Sequence, residues 1–266
     1  MSATAATLHV SRDEGGIVRL CFDRPERRNA LDRSTAQAFA HACRDIASDH
    51  SVRVLVICGA GDAFTTGGDL HELRADPTGA AIGLIGPMHE AIVLLAEMRA
   101  PVIASLHGAV AGAGLSLALA CDFAVAAEGT RFALAYVNIG ASFDLSGSWT
   151  LPRLVGLRKA MEIALLGERF DAAEALRLGL INKVVPSAAL EAETLALAQR
   201  LAAGPAQSIA QMKRLLRISF AHDLRGQLDA ERSAFLACAA TPDFGEGVDA
   251  FLDKRPPRFG AGRAAD

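Results

Sequence analysis

The sequence has few cysteines and little net charge, and each of these two shortages excludes a class of protein. Its five cysteines are scattered, odd in number and without a Cys-x-x-Cys spacing. This pattern predicts reduced thiols in a cytoplasmic protein, not a disulfide framework or a zinc site. No group of histidine, cysteine and carboxylate residues has the spacing of metal ligands, so no metal is predicted. With a formal net charge of -3, the chain lacks the basic surface typical of nucleic-acid binding.

Signals for a membrane segment are also weak. The N-terminus lacks a basic stretch followed by an apolar run, so no signal peptide is predicted. The apolar run at 102–121 is about long enough to cross a bilayer, but it contains His107 and three glycines. A buried strand at 101–106, a glycine turn and a helix that begins near Ala113 fit this run better. We therefore expect a soluble protein with no membrane and no nucleic-acid partner.

The glycine turn in this run is suited to binding negative charge. Glycine lets the backbone come close to a ligand, and a helix N-terminus presents unpaired N–H groups and the positive end of a dipole. Gly112, Ala113 and Gly114 therefore form a candidate site for an anionic oxygen, such as that of an enolate. A tight strand-to-helix turn packed in a core explains the same residues, and this run alone does not separate the two interpretations.

A second glycine turn lies at 59–70, where the sequence reads G-A-G-D-A-F-T-T-G-G-D-L. It follows an apolar β-type run and precedes a short helical stretch that Asp69 is suited to cap. The G-x-x-x-x-G-K-[ST] pattern of a phosphate-binding loop is missing. Two strand–turn–helix units, each with a free backbone N–H, suggest a two-donor oxyanion hole, in which each donor contributes about 2.7–4 kcal/mol to a transition state.

The rest of the pattern is typical of an α/β protein. Helical spacing alternates with β-type runs at 17–22, 52–58, 102–106 and 123–126. A helical stretch at 84–99 ends before Pro101, and helices dominate after about residue 145. We predict a core at 1–200 that carries the site and a helical C-terminal region at 201–266.

These motifs together resemble the crotonase superfamily, the enoyl-CoA hydratase/isomerase family. The matching segments are R-P-E-R-R-N-A-L at 24–31, A-F-T-T-G-G-D-L at 63–70, P-V-I-A-S-L-H-G-A-V-A-G-A-G-L-S-L-A at 101–118, C-D-F-A-V-A at 121–126, L-P-R-L-V-G at 151–156, A-L-R-L-G-L-I-N-K-V-V-P at 175–186 and E-G-V-D-A-F-L at 246–252. The resemblance implies a spiral of ββα units with a C-terminal helical region that forms a homotrimer or a hexamer. It also implies an acyl-CoA thioester substrate and no separate cofactor, because coenzyme A is part of the substrate.

The resemblance implies roles for particular residues. The backbone N–H groups of Gly68 and Ala113 would hold the thioester oxygen. Contacts with the acyl-CoA are expected from Arg28, Ala30, Leu31, Thr66, Gly67, Asp69, Leu70, Gly112, Gly114, Tyr136, Phe143, Trp149 and Lys254. Lys254 would approach a CoA phosphate, although a solvated basic chain end explains this residue equally simply.

Aromatic residues are scarce, yet three of them lie close together in the sequence. Tyr136, Phe143 and Trp149 fall within one short stretch that holds the only tyrosine and the only tryptophan. An aromatic wall for a cyclic or aryl acyl group would account for this concentration. Ordinary packing beneath a loop accounts for it as well.

The acid–base groups indicate the reaction. Hydratases of this family use two glutamates, and the matching positions here are Ser116 and Tyr136. Asp144 occupies the position at which isomerase-like relatives carry a catalytic aspartate, and a single carboxylate is enough to move a proton between two carbons. The favoured interpretation is therefore an enoyl-CoA isomerase.

Other interpretations remain open at this point. They are a hydratase, a thioester hydrolase or dehalogenase-like enzyme, and a non-catalytic acyl-CoA binder. Asp144 is also suited to capping the helix that follows it. His89 stands where dehalogenase-like relatives have a water-activating histidine, but we expect it on the surface of a helix.

Overall fold

The computed structural model describes residues 7–260, and these form ten strands and ten α-helices. The strands are β1 (Leu8–Arg12), β2 (Ile17–Phe22), β3 (Val54–Gly59), β4 (Ala63–Thr65), β5 (Val102–Leu106), β6 (Ala109–Ala111), β7 (Phe123–Ala127), β8 (Arg131–Ala133), β9 (Arg169–Asp171) and β10 (Lys183–Val185). The helices are α1 (Arg33–Ser48), α2 (Leu70–Ala75), α3 (Pro77–Glu97), α4 (Ala113–Ala120), α5 (Gly147–Leu166), α6 (Ala172–Arg177), α7 (Leu190–Ala202), α8 (Ala206–Ile218), α9 (Leu224–Ala239) and α10 (Pro242–Leu252).

The strands form two sheets that the chain visits in alternation. The larger sheet has the order β1-β2-β3-β5-β7-β10 and the smaller one β4-β6-β8-β9. In each of the pairs β3–β4, β5–β6 and β7–β8, the first strand joins the larger sheet and the second joins the smaller one. Most neighbours are parallel, as expected when helices connect successive strands, and β1 and β9 are antiparallel to theirs. This arrangement is the spiral of ββα units that the sequence predicts.

The strands predicted from apolar runs agree closely with the structure. The bounds of β2 and β5 match the prediction, β3 is shifted towards its C-terminal end, and β7 is one residue longer. The sequence did not predict β1, which is mostly exposed, or the three-residue strands β4, β6, β8 and β9. Three residues are too few to show an alternating pattern, so backbone pairing with a neighbour defines these short strands.

The apolar run at 102–121 forms β5, β6 and α4, so it lies inside the fold. All eight residues of α4 are buried. The helix α3 begins at Pro77, earlier than the predicted 84–99, because Asp76 caps it by accepting a hydrogen bond from the Gly79 N–H. By length and composition, α3 is apolar enough to cross a membrane. In this fold it packs against α1 and buries Leu84, Met88 and Leu95.

The C-terminal helices join the core through buried charges. Lys213 on α8 is 2.7 Å from Asp122, and Arg217 on the same helix is 2.7 Å from the other oxygen of that carboxylate. Farther along, α9 and α10 expose large apolar side chains, including Phe235, Leu236 and Phe251. Trimer formation by this region stays a prediction, as does the division of the chain at residue 200.

Candidate functional site

The two glycine turns pack backbone against backbone. Gly67 has φ +88°, and a β-carbon placed on it would lie 3.0 Å from the backbone nitrogen of Ala113. A β-carbon on Gly114 would lie 2.3 Å from the carbonyl oxygen of Thr65. Only glycine permits these approaches, so both turns depend on glycine for their contact. The structure thus brings together the two units that the sequence places about 45 residues apart.

The local hydrogen bonds orient the N–H group of Gly68 towards the cavity described below. Leu31 pairs with the first turn as a short parallel bridge, in which its N–H donates to Gly67 O at 2.8 Å and its carbonyl accepts from the Asp69 N–H at 2.8 Å. Because successive N–H groups of extended backbone point to opposite sides, the Gly68 N–H points away from Leu31.

The second N–H group belongs to Ala113, the first residue of α4. A residue at this position has no partner for its N–H within the helix. Gly112 precedes it with φ +52° and is held by its own N–H, which donates to Ala133 O at 2.9 Å. Gly68 and Ala113 both line one cavity, so the geometry is suited to two N–H donors facing one oxygen.

Buried polar groups hold the first turn in place. The Asn29 side chain is 1% exposed and donates to the carbonyls of Ala60 and Ala63 at 2.8 and 2.7 Å. The Thr65 hydroxyl donates to Asn29 O at 2.6 Å. Asp69 caps α2 by accepting from the His71 N–H at 3.0 Å. The segment 24–31 is therefore fastened beside the turn.

The cavity beneath the two turns has a volume of about 360 Å³. Helix α3 contributes Leu84, Ile85 and Met88 to its wall, and most of the lining is apolar. Ten residues predicted to act at the site line this cavity: Leu31, Thr66, Gly67, Gly68, Leu70, Gly112, Ala113, Tyr136, Phe143 and Asp144. Arg28, Ala30, Asp69 and Gly114 belong to the supporting segments but do not line it.

Asp144 provides the carboxylate of the cavity, and a histidine from α3 holds it. One carboxylate oxygen, Oδ1, is 2.6 Å from Nε2 of His89 and accepts a hydrogen bond from the Leu145 N–H at 2.7 Å. The Asp144 side chain is 20% exposed and that of His89 is 54% exposed. Helix α5 begins later, with Ser146 as its N-cap residue, so the Asp144 side chain bonds His89 and Leu145 instead of capping the helix.

The two positions that would carry glutamate in a hydratase hold neutral hydroxyl groups in contact with each other. Ser116 Oγ and Tyr136 Oη are 3.1 Å apart, and the tyrosine hydroxyl also donates to Asp144 O at 3.3 Å. Burial raises the pKa of the Tyr136 hydroxyl well above its ordinary value, so it stays protonated at neutral pH. Tyr136 therefore acts as a hydrogen-bond donor that ties the loop of Asp144 to α4.

Trp149, predicted to contact the acyl-CoA, does not line the cavity. Trp149 is 42% exposed on α5, and the Arg153 guanidinium lies 4.0 Å from the centre of its ring. It lines a different groove, together with Leu119 and Leu216. Gly147 and Thr150 form the buried side of this helical turn, which leaves Trp149 facing outward. Of the three clustered aromatics, only Tyr136 and Phe143 face the cavity, with ring centres 6.1 Å apart.

Lys254 is exposed beyond the end of α10 and does not line the cavity within the single chain. Its contact with a CoA phosphate across a subunit boundary stays a prediction. His89, expected on a helix surface, was missed as a member of the site. His89 joins the site through its contact with Asp144, and the available sequence signal is its spacing four residues after Ile85, a lining residue, because such residues share one helix face.

Among residues 7–260, no group of three or more histidine, cysteine, aspartate or glutamate side chains is arranged to hold a metal ion. The described residues bring two N–H donors, one carboxylate and a neutral phenol to the cavity, and the imidazole of His89 contacts the carboxylate.

Comparison with known proteins places this geometry in a family. The enoyl-CoA hydratase/isomerase family model matches residues 12–262. The chain is 35% identical to the 1,2-epoxyphenylacetyl-CoA isomerase of Escherichia coli K12, over 94% of this chain and 97% of that protein. It is also 35% identical to the 2,3-dehydroadipyl-CoA hydratase of the same strain, over 95% of this chain and 98% of that protein.

Solved structures show the same fold. The crystal structure of an enoyl-CoA hydratase from Polaromonas sp. JS666 superposes with a TM-score of 0.89 at 36% identity, covering 95% of this chain and 99% of that one. Both hydratases and isomerases are named among the similar proteins, which supports an acyl-CoA hydratase/isomerase activity. With the paired glycine turns, the apolar cavity and these matches, the chain belongs to the enoyl-CoA hydratase/isomerase family of the crotonase superfamily.

Proposed function

We propose that the protein is an enoyl-CoA isomerase, in which Asp144 moves a proton between two carbons of the acyl chain. The observation that carries this proposal is that Asp144 is the one carboxylate among the residues described as lining the cavity. Removal of a proton by this carboxylate gives a dienolate, and return of the proton to a different carbon shifts the double bond. No second acid and no activated water are needed.

The two N–H groups make the proton removable. Hydrogen bonds from Gly68 and Ala113 to the thioester oxygen would stabilise the negative charge that develops there as the proton leaves. Each such donor contributes about 2.7–4 kcal/mol in a site that excludes water. The apolar wall from α3 strengthens both interactions, because electrostatic attraction grows as the local dielectric constant falls.

His89 supports this role by fixing the carboxylate. With His89 Nε2 and the Leu145 N–H both on Oδ1, the second oxygen, Oδ2, is left to exchange the proton. Tyr136 and Ser116 close the wall beside the carboxylate without adding a further charge. The carboxylate is thus held at one orientation, as proton transfer to and from two neighbouring carbons requires.

The contact between His89 and Asp144 also favours a second candidate, hydrolysis through an aspartyl ester. In that reaction Asp144 would attack an aryl carbon and expel a halide, and a water would then attack the ester carbonyl while His89 takes its proton. His89 is half exposed and therefore within reach of solvent water. Isomerisation needs no water at this position, so the two candidates differ in whether His89 handles a proton.

A substrate panel with matched variants separates the candidates. The parent is expected to convert 3-enoyl-CoA to the conjugated 2-enoyl-CoA, followed by ultraviolet absorbance, and Asp144→Asn to lose about 10²–10⁴-fold of that rate. Glu90→Gln is the matched control. Glu90 also lies on α3, but it does not line the cavity and instead pairs with Arg44 of α1 at 2.8 Å. For His89→Gln, the first candidate predicts a modest loss of isomerisation. The second predicts release of one halide per site from a haloaroyl-CoA, followed by loss of steady-state turnover, because the aspartyl ester is no longer hydrolysed.

Three results would contradict the isomerase proposal, and each points to a different alternative. Unchanged isomerisation in Asp144→Asn would remove that carboxylate from the mechanism. Rapid hydration of crotonyl-CoA by the parent would favour a hydratase. Binding of acyl-CoA without turnover of any panel member would favour the non-catalytic binder.

A further inference from the structure

Two cysteines lie opposite each other on neighbouring strands, away from the cavity. The parallel register of β2 and β3 pairs Cys21 directly with Cys58. Neighbouring strands are about 4.7–4.9 Å apart, and disulfides join Cα atoms that are about 4.4–6.8 Å apart. The backbone of this pair therefore satisfies the main distance requirement for a disulfide.

Both side chains lie on the same face of the larger sheet. Leu20, Phe22 and Ile57 alternate with them and belong to the main core, so Cys21 and Cys58 lie on the opposite face, towards α7. Arg19 shares this face, two residues before Cys21, and is 2.7 Å from Glu191 at the start of α7. The thiols therefore lie beside a guanidinium group.

This environment sets Cys58 apart from the cysteines buried alone. A hydrogen bond from Cys21 and the charge of Arg19 lower the pKa of Cys58 to about 7, although burial opposes the shift. The same hydrogen bond raises the pKa of Cys21, and burial and the charge of the Cys58 thiolate raise it further. Burial raises the pKa of Cys121 to about 12 and also raises that of Cys43.

Solvent can reach the pair from one side. Cys21 is half-buried and Cys58 is 7% exposed, so a small oxidant has access to the first and to the edge of the second. A groove of about 180 Å³ opens on the same face of the sheet. It is lined by Glu191 and by Arg19 and Val56, which stand two residues before Cys21 and Cys58 in their strands. Hydrogen peroxide is smaller than this groove.

We propose that Cys21 and Cys58 are a modification site at which hydrogen peroxide closes a reversible disulfide. The Cys58 thiolate attacks one peroxide oxygen, the O–O bond breaks, and the leaving oxygen departs as water after taking up a proton. The resulting sulfenic acid is attacked by the Cys21 sulfur, which forms the S–S bond and releases a second water. Two thiols are oxidised and one peroxide is reduced to two waters.

The cysteine pair lies at the strand ends that lead into the loops of the cavity. Cys21 and Cys58 stand next to the last residues of β2 and β3, which lead into the segment 24–31 and the turn that contains Gly67. Strands in register hold β-carbons farther apart than a disulfide does, so closure draws the two strand ends together. We expect lower acyl-CoA turnover in the oxidised form, a consequence that rests on the proposed function.

Thiol counting tests the modification without reference to activity. The full-length protein is treated with hydrogen peroxide, the remaining thiols are alkylated under denaturing conditions, and intact mass and peptides are analysed. Free thiols are expected to fall from five to three, with Cys21 linked to Cys58, and to return to five after treatment with dithiothreitol. The rate of acyl-CoA turnover is then measured in the same samples. Because the thiol count does not depend on the substrate, a wrong substrate assignment leaves that result unaffected.

Variants identify each partner. Cys21→Ser is expected to accumulate a Cys58 sulfenic acid that a 1,3-diketone probe traps, and Arg19→Gln to react more slowly than the parent. Cys238→Ser is the matched control, because Cys238 is also half-buried but lies on α9, and it should form the disulfide as the parent does. Oxidation of Cys238 before the pair, a disulfide between chains, or an unchanged count of five thiols would overturn the proposal.

Discussion

At the scale of single residues, the site depends on glycines that no other residue replaces. Gly67 combines a positive φ of +88° with a close approach to the backbone of Ala113. A side chain at this position costs free energy in the backbone and pushes the two turns apart. Because the proposed N–H donors belong to these two turns, a small displacement changes their distance from a shared oxygen.

We expect Gly67→Ala to impair both stability and activity. The backbone conformation costs about 1–3 kcal/mol for a residue with a β-carbon. Relief of the close contact with Ala113 shifts the two turns apart, and we expect turnover to fall by less than the roughly 100-fold that a misplacement of about 1 Å causes. Denaturant unfolding measures the first effect and initial rates with an enoyl-CoA measure the second.

Gly245→Ala serves as the control for this substitution. Gly245 lies in α10, and a β-carbon placed on it meets nothing within 4 Å. Alanine there should keep activity and stabilise the helix by about 0.5–1 kcal/mol. Equal effects of the two substitutions would show that the close approach of Gly67 to Ala113 has no role.

At the scale of elements, Glu246 on α10 contributes three of the hydrogen bonds that hold the chain after this helix, and Asp243 adds one from the Gly260 N–H at 2.8 Å. Glu246 bonds the Arg255 guanidinium through both of its oxygens, at 2.7 and 2.9 Å, and accepts from the Arg258 N–H at 2.6 Å. These contacts, with the Arg255 side-chain hydrogen bond first among them, lower the pKa of Glu246 to about 2. The helix thus fixes the segment that follows it, including Lys254.

This contact predicts a pH dependence of local order. A carboxyl group whose pKa is lower in the folded state stabilises that state above its ordinary pKa, and the stabilisation is lost as the pH falls towards the folded value. Hydrogen exchange in residues 254–260 should therefore be faster in Glu246→Gln than in the parent at neutral pH. The ratio of the two rates should fall towards one between about pH 4.5 and pH 2.

Glu231→Gln provides the comparison for the exchange experiment. Glu231 is an exposed glutamate on the neighbouring helix α9. Its substitution should leave exchange in 254–260 at the rate of the parent throughout the pH range. A constant ratio for Glu246→Gln across the range would contradict the role given to its carboxylate.

At the scale of the whole molecule, a buried charge cluster joins the C-terminal helices to the core. Lys213 on α8 donates to the carbonyls of Leu95 and Ala100 at 2.8 and 2.9 Å and is paired with Asp122. Asp122 also accepts from the N–H of Val102, the first residue of β5. One cluster therefore connects α8, the end of α3 and the strand that leads to the second glycine turn.

Lys213→Met should destabilise the whole fold by about 3–5 kcal/mol, because it removes one partner of a buried pair and leaves two carbonyls without a donor. Methionine keeps most of the side-chain volume, so the loss reports on the charge and its hydrogen bonds. Chemical denaturation followed by circular dichroism measures the free energy of unfolding.

The matched control is Lys159→Met, which removes an exposed pair with Glu162. Its expected cost is about 0–1 kcal/mol, since solvent screens surface pairs. A cost for Lys213→Met no larger than that of the control would show that packing of apolar surface alone joins α8 to the core.

The sequence by itself determined the longer buried strands and the two turns that form the site. Buried strands such as β2 and β5 show as apolar runs, and Asp69 shows as a helix cap, because these features depend on near neighbours in the chain. Glycines at 67, 112 and 114 indicated where backbone comes close to backbone, since their conformational freedom is a local property.

Only the tertiary structure decided which side chains meet. The pairing of His89 with Asp144, and of Cys21 with Cys58, depends on the orientation of α3 and on the register of two strands, and neither is fixed by local sequence. Trp149 shows the reverse case, because it lies five residues from Asp144 in the chain and yet faces another groove. Proximity along the chain sets local conformation, whereas packing of whole elements sets the direction of each side chain and so the composition of the site.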